Sequence, residues 1–196
     1  MDDRTKNGVY SLTYSSSRYT IADGEGPNSP RFVSAEDPRL VTEDLGTSQF
    51  DGSTELFAPV KYSSYESPID VATGTEARLI IAEASLRGGN YVAALGELNA
   101  LRTAAGLDPL APAATATAQQ DQLFTERAFW MFGTAHRLGD LRRLITQYGR
   151  PVNSVFPSGT YFKGNAYGNQ VAFLVPQEEE QDNPNYNRAA CDPTKP

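Results

Sequence analysis

The strongest structural signal in this sequence is a pair of closely spaced helices in residues 73–106. The first begins at a capping box, Thr73-Gly74-Thr75-Glu76, in which a threonine caps the helix and a glutamate lies three residues further on. Gly88-Gly89 ends this helix, and Asn90 is a suitable cap for the second, which Gly106 ends. The sequence therefore predicts two helices that meet at a tight glycine turn.

The apolar residues of both helices recur at helical spacing. They are Ala77, Ile80, Ile81 and Ala84 in the first helix, and Tyr91, Ala94, Leu95, Leu98 and Leu101 in the second. An Ala/Thr/Pro linker follows at residues 111–118, and two further helices are predicted over about 119–137 and 140–148. We therefore expect a mainly α fold.

Composition divides the chain into three parts. Residues 1–73 are rich in Ser, Thr, Tyr, Gly, Pro and Asp, residues 74–149 hold the predicted helices, and residues 150–196 return to Gly, Asn, Pro and aromatic residues. Long segments with so little periodicity are unusual inside a compact domain. We expect them to be loops laid over the helical scaffold, with a few short strands, within one structural domain.

The flanks carry weaker local patterns. A partial two-residue alternation predicts one short strand near the N-terminus, formed by Val9, Tyr10, Leu12 and Tyr14. Residues 22–28 have the composition of a turn. Residues 170–176 form a short apolar run that indicates a brief strand or an extended segment, and residues 177–180 indicate an exposed turn.

Charge and residue counts exclude several functional classes. The chain has 17 Lys and Arg against 24 Asp and Glu, and this net charge of −7 argues against nonspecific binding of nucleic acid, which needs a basic surface. One cysteine excludes a disulfide framework and a cysteine-based zinc site, and one histidine excludes the common His-rich metal sites. We predict no metal and no cofactor. No apolar run approaches the ~20 residues of a membrane span.

The charged residues of the helical part are predicted to form ion pairs between packed helices, because buried charges persist only when they are paired. This framework comprises Glu83, Arg102, Glu126, Arg127, Arg137 and Asp140. His136 lacks a neighbouring nucleophile motif, so we predict no catalytic role for it and no catalytic residues in the chain.

Aromatic residues of the flanks are the better candidates for ligand binding. They are Tyr10, Tyr14, Tyr62, Tyr65, Tyr161 and Tyr167, all in surroundings rich in Gly, Ser and Asn. Loops on a rigid scaffold commonly carry binding residues, and aromatic rings stack on the apolar C–H faces of sugars. The competing interpretation is that several of these tyrosines only hold loops against the helices.

A series of short motifs resembles a known family. The Gly-Asn-Tyr-x-x-Ala-Leu step at the glycine turn resembles a tetratricopeptide helix pair. The order of motifs over about residues 36–187 resembles the C-terminal part of the SusD/RagB family, nutrient-binding lipoproteins of bacterial outer membranes. The matching motifs are Asp37-Pro38-Arg39-Leu40, Ala82-Glu83-Ala84, Asn99-Ala100-Leu101-Arg102, Glu126-Arg127, Arg137-Leu138-Gly139-Asp140-Leu141-Arg142-Arg143, Val175-Pro176-Gln177-Glu178 and Asn183-Pro184.

The resemblance implies nonenzymatic binding of an extracellular nutrient, a glycan or a peptide, and its delivery to a TonB-dependent outer-membrane transporter. It implies a surface location through a lipid anchor that this chain lacks. Family members are longer and begin with a signal peptide and a lipidated cysteine, so we expect a C-terminal portion or a short relative. Phe129-Trp130 and Ala135-His136 depart from the residues that are usual in the family.

Two alternatives remain open at this point. The helix pair is also typical of an interaction module that binds a peptide or protein partner. A glycosidase would instead need two carboxylates about 5–10 Å apart in a cleft.

Overall fold

The computed structural model describes residues 6–23 and 29–195. Contacts divide the chain into two compact units, one comprising Met1–Asp23 and Pro30–His136 and the other comprising Gly24–Ser29 and Arg137–Pro196. The fold is mainly helical with a short two-stranded sheet, which confirms the predicted fold class. Most of the turn predicted at 22–28 lies outside the described residues.

The N-terminal segment of the first unit is helical, and the predicted strand is therefore wrong. Helix α1 (Gly8–Tyr10) continues into a π-helical turn at Ser11–Ser15. The side chain of Asn7 accepts a hydrogen bond from the backbone N–H of Tyr10 at 3.0 Å and caps this segment. Helical geometry also brings Tyr10 beside Tyr14, four residues on. The Asn7 cap and the four-residue spacing of the two tyrosines favour a helix, and they outweigh the partial two-residue alternation that predicted a strand.

The sequence does not predict the two strands that form the sheet of the first unit. Strand β1 (Thr42–Thr47) pairs antiparallel with β2 (Glu55–Pro59), with Thr42 opposite Pro59 and Asp44 opposite Phe57. Strand β1 carries mostly polar residues and has no buried position, so it lacks the alternation that reveals a half-buried strand. Strand β2 buries Leu56 and Ala58 and continues into a 3-10 turn at Val60–Tyr62.

The predicted helix pair is present. Helix α2 (Gly74–Arg87) begins at Thr73, whose side chain accepts from the N–H of Glu76 at 3.0 Å. Helix α3 (Tyr91–Ala104) begins at Asn90, as predicted from its cap. Gly106 adopts a φ of 72° just beyond the end of α3, a left-handed conformation that favours glycine.

Helix α4 (Ala116–Trp130) starts three residues earlier and ends seven residues earlier than predicted. It starts earlier because Thr115 caps it, accepting from the N–H of Ala118 at 3.2 Å. It ends earlier because the following turn holds Gly133 and Ala135 at φ values of 71° and 64°. Helices α2, α3 and α4 share a core in which the leucines Leu79, Leu98 and Leu123 are almost fully buried.

The second unit contains helix α5 (Arg137–Thr146), a 3-10 turn at Val152–Ser154 and helix α6 (Gln177–Asp182). The segment predicted as an exposed turn at 177–180 is exposed but helical. The apolar run at 170–176 forms no strand. Val171 within it is fully buried, and its carbonyl accepts from Arg142 Nη1 at 3.1 Å. Among the described residues, no helix combines the length and apolar character needed to cross a membrane.

Candidate functional site

A buried ion-pair network surrounds Glu126 on α4. Oε2 of this carboxylate accepts from Arg39 Nη1 at 2.5 Å and from the indole Nε1 of Trp130 at 3.2 Å. Oε1 accepts from Arg102 Nη1 at 2.7 Å. Both oxygens are therefore occupied by donors of the protein itself, which stabilises the charge in its buried position.

Arg39 joins this network to the loop that follows residue 30. Its Nε donates to Oδ1 of Asp37 at 2.8 Å and its Nη2 donates to Oδ2 at 2.6 Å, a bidentate pair. Its guanidinium also lies 5.1 Å from the ring centroid of Phe129 and 5.0 Å from that of Trp130. Burial works to raise the pKa of Asp37, but the hydrogen bonds and charge of Arg39 outweigh it and lower that pKa.

The Asp37-Pro38-Arg39-Leu40 motif is part of the family resemblance, but the framework predicted from the sequence does not include Arg39. The signal that could have found it was the Asp-x-Arg spacing beside a predicted turn, because a carboxylate two residues away preorganises the guanidinium. Leu40 donates its N–H to the carbonyl of Asp37 at 2.9 Å and closes that turn. The turn therefore directs the side chain of Arg39 towards Glu126 on α4.

The other predicted framework residues lie in two separate groups. In the first unit, Arg127 Nη1 lies 3.9 Å from Oε2 of Glu83, with both side chains largely buried. In the second unit, Asp140 is almost fully buried and accepts from Arg143 Nη2 at 2.7 Å. Burial lowers the pKa of Arg137, and the charge of Asp140 partly opposes that shift.

His136 lies within a chain of three hydrogen bonds, between Glu76 and Thr134. Its Nε2 is 3.0 Å from Oε1 of Glu76, and its Nδ1 is 2.8 Å from Oγ1 of Thr134. The hydroxyl of Thr134 in turn donates to the carbonyl oxygen of Met131 at 2.7 Å. A hydroxyl whose proton is engaged by a backbone carbonyl is not activated for attack, so this chain fastens the 131–136 turn to α2 rather than forming a nucleophile.

Three of the predicted tyrosines come together in the first unit. We call Tyr10, Tyr14 and Tyr65 the tyrosine cluster. The rings of Tyr10 and Tyr14 are stacked, with centroids 5.3 Å apart and an angle of 18° between planes. The ring of Tyr65 meets Tyr10 edge-on, with centroids 4.6 Å apart. All three are partly exposed, so the cluster offers apolar surface to solvent.

Two hydroxyls of the tyrosine cluster donate hydrogen bonds to neighbouring polar side chains. Tyr14 donates to Oε2 of Glu43 at 3.1 Å, and Tyr65 donates to Oγ of Ser15 at 2.8 Å. The ammonium of Lys6 lies 5.1 Å from the centroid of the Tyr65 ring. Burial, reinforced by the hydrogen bond and negative charge of Glu43, raises the pKa of Tyr14 to about 12. The cluster therefore combines ring surface with acceptors and donors at its edge.

Tyr62 lies apart from the other tyrosines. It is only 3% exposed, and its hydroxyl approaches the carbonyl oxygen of Gly133 at 3.4 Å. A Cβ added to Gly133 would lie 2.6 Å from Cε2 of the Tyr62 ring, so the two residues pack tightly. A side chain enclosed in this way has no face open to a ligand.

The second unit holds another aromatic group, on a small hairpin closed by a bridge between Thr160 and Ala166. The ring centroids of Tyr161 and Tyr167 are 5.9 Å apart. Phe162 meets Tyr161 edge-on at 5.7 Å and is mostly exposed. Sequence reasoning named the two tyrosines and missed the phenylalanine, although it follows Tyr161 directly.

Among the described residues, no group of three or more His, Cys, Asp and Glu side chains is placed to hold a metal ion. In a comparison with known proteins, a family model described as the SusD family matches residues 74–194. That match begins at the first residue of α2 and ends at residue 194 of the second unit. No curated protein and no solved structure matches the chain.

Proposed function

The chain belongs to the SusD family, and from this premise we propose that it binds an extracellular glycan at the outer-membrane surface. The family is one of nutrient-binding proteins rather than enzymes. It is generally associated with glycans, with the outer membrane and with TonB-dependent transporters. Delivery of the bound glycan to such a transporter is the corresponding role that we propose for this chain.

The tyrosine cluster is the observation that carries this proposal. Three partly exposed rings lie within 5.3 Å of a neighbour, centroid to centroid, on two segments that Asn7 joins. Asn7 donates its side-chain N–H to the carbonyl of Ser67 at 2.8 Å, and its backbone N–H donates to the carbonyl of Tyr65, also at 2.8 Å. These bonds tie the two parts of the cluster together before any ligand arrives, which lowers the entropic cost of binding.

The chemistry of the cluster suits a sugar. The C–H face of a pyranose ring packs against an aromatic ring, and its hydroxyls need donors and acceptors nearby. Glu43 supplies an acceptor at the edge of Tyr14, and Lys6 supplies a donor beside Tyr65. The aromatic hairpin with Tyr161 and Tyr167 belongs to the other unit and is a second candidate surface.

Titration calorimetry against soluble oligosaccharides tests the proposal. The panel comprises neutral oligomers of glucose, xylose and mannose with α and β linkages, and binding of at least one is expected. Tyr10→Ala and Tyr65→Ala should each weaken that binding by about tenfold, the loss of one stacking contact. Tyr19→Ala is the matched control, because this tyrosine is more exposed than those of the cluster and belongs to no aromatic pair described above.

The panel also separates glycan binding from the alternatives. If no oligosaccharide binds but a peptide or a purified transporter does, the chain is a protein-binding module and the glycan proposal fails. If a sugar binds and Tyr161→Ala weakens it while Tyr10→Ala does not, the site lies on the second unit. Release of reducing ends from a bound oligosaccharide would contradict the nonenzymatic role.

A further inference from the structure

Helix α2 has apolar residues on two opposite sides. Its inner side packs in the core, where Leu79 and Ala82 are fully buried. Each residue of an α-helix advances the direction of its side chain by about 100°, so positions i, i+3, i+4 and i+7 share one side. On the side opposite the core this set is Ala77, Ile80, Ile81 and Ala84, which we call the outer stripe.

The outer stripe is exposed along its whole length. Ile80 is 54% exposed and Ile81 is 52% exposed, and both alanines are also exposed. These are the residues whose spacing predicted the helix, so the pattern that usually marks a core-facing side faces solvent here. Single exposed apolar side chains are ordinary on protein surfaces, whereas the four residues of the outer stripe adjoin one another and form one continuous apolar row.

The outer stripe reads the same from both ends, Ala-x-x-Ile-Ile-x-x-Ala. A two-fold interface requires a patch that is complementary to itself. If two copies of α2 cross antiparallel at the midpoint of the stripe, Ile80 of one copy packs beside Ile81 of the other. Ala77 then lies opposite Ala84, and neither alanine holds the helix axes apart. We propose that the outer stripe binds a second copy of this chain in this antiparallel arrangement.

Charge favours the same arrangement. The first turn of α2 carries Glu76, whose Oε1 is engaged by His136 of the same chain, and the last turn carries Arg87. Arg87 lies seven residues after Ile80 and therefore on the edge of the outer stripe. Antiparallel crossing brings the acidic first turn of one copy to the basic last turn of the other, at both ends of the interface. It also sets the two helix dipoles in opposite directions, whereas a parallel pair would place like ends together.

The size of the stripe sets the expected strength. Stable dimers bury about 800 Å² per partner, which one helical stripe of four residues does not provide by itself. The dimer should therefore be weak and reversible, forming at micromolar or higher concentration. Such self-association is independent of glycan binding, because it uses none of the residues of the tyrosine cluster.

Sedimentation equilibrium on the whole chain tests the proposal. We expect a reversible monomer–dimer equilibrium, and Ile80→Asp should raise its dissociation constant by at least tenfold. Ile69→Asp is the matched control, since it makes the same change at an isoleucine that is 44% exposed and lies outside α2. Circular dichroism verifies that both variants remain folded, which is expected because both side chains are exposed.

Cysteine cross-linking tests the register. In a Cys191→Ser background, which removes the exposed free cysteine of the described chain, Ile81→Cys should form a disulfide-linked dimer on mild oxidation. Ala84→Cys should not, because its copy lies opposite position 77, seven residues or about 10.5 Å along the helix. Disulfides need Cα atoms within about 7 Å.

Three results would overturn the proposal. One is a monomer at every concentration up to the millimolar range, including the case in which a foreign helical peptide binds the stripe instead. Another is a dimer that Ile80→Asp leaves as strong as before. The third is a dimer that cross-links through position 84 but not through position 81, since that pattern requires a different contact.

Discussion

Arg39 and Glu126 lie 87 positions apart in the sequence, yet Nη1 of the arginine donates to Oε2 of the glutamate at 2.5 Å. Their side chains are 6% and 3% exposed, so the pair is shielded from water. Through it, the loop around residue 39 is fastened to α4. The loop-rich part of the first unit is thus joined to the helices by a buried charge as well as by apolar contacts.

Removing the arginine should destabilise the fold strongly. We expect Arg39→Ala to lower the free energy of unfolding by about 3–5 kcal/mol, because the buried carboxylate of Glu126 and the partly buried carboxylate of Asp37 both lose their bonds to this arginine. Urea denaturation monitored by circular dichroism measures the change. The matched control is Arg78→Ala, which breaks an ion pair with Glu97 on the more exposed surface of the helix pair and should cost about 1 kcal/mol or less. If both variants lower the free energy of unfolding equally, the buried ion pair contributes no more to stability than the exposed one.

The close packing of Gly133 against Tyr62 gives a second prediction. Gly133→Ala should destabilise the protein by about 2–4 kcal/mol. The new Cβ would lie 2.6 Å from Cε2 of a buried ring, and the residue adopts a φ of 71°. A thermal melt followed by circular dichroism is the measurement.

Gly106→Ala separates the two causes. Gly106 has nearly the same φ, 72°, but nothing lies within 4 Å of its added Cβ. This variant should therefore show only the backbone cost of about 1–2 kcal/mol. If both glycine variants have the same melting temperature, the contact between residue 133 and Tyr62 is looser than the structure shows.

The helical part of the fold could be predicted from sequence because its signals are local. Thr73 and Asn90 each bond to a backbone N–H three residues on, and that geometry depends on nothing distant. The sheet could not be predicted, because strand β1 is held by its pairing with β2 rather than by apolar residues of its own. The predicted N-terminal strand is wrong although its deciding signal is local. Asn7 caps a helix there, and the partial alternation of apolar residues conceals it.

The candidate site shows the same division. The sequence identifies tyrosines in polar loops, but it does not show that Tyr10, Tyr14 and Tyr65 meet, since residue 65 is held there by a backbone hydrogen bond to Asn7. Nor could it tell that Tyr62, three residues from Tyr65, points into the interior. Burial and long-range contact are properties of the whole fold, and a single sequence carries no direct record of them.

The cap of α2 gives a third prediction. Thr73→Ala should lower the unfolding free energy by about 1 kcal/mol, because the N–H of Glu76 loses its acceptor. For a chain of this size, that corresponds to a fall in melting temperature of about 2–4 °C. Thr73→Ser keeps the hydroxyl and should melt within about 1 °C of the original protein. A serine variant as unstable as the alanine variant would mean that the threonine methyl group, not its oxygen, stabilises the helix.

The Tyr14–Glu43 bond predicts a pH dependence. The pKa of Tyr14 is raised from 10.0 to about 12, so its contribution to stability is complete below pH 10 and is lost as pH rises through about 12. Glu43→Gln removes the negative charge but not the burial, so the pKa should fall only part of the way towards 10.0. Phenolate absorbance near 295 nm measures it, with Tyr14→Phe identifying the signal. Asp44→Asn, one residue along β1 and directed to the other face, should leave the titration unchanged. Coincident curves for Glu43→Gln and the original protein would contradict the bond.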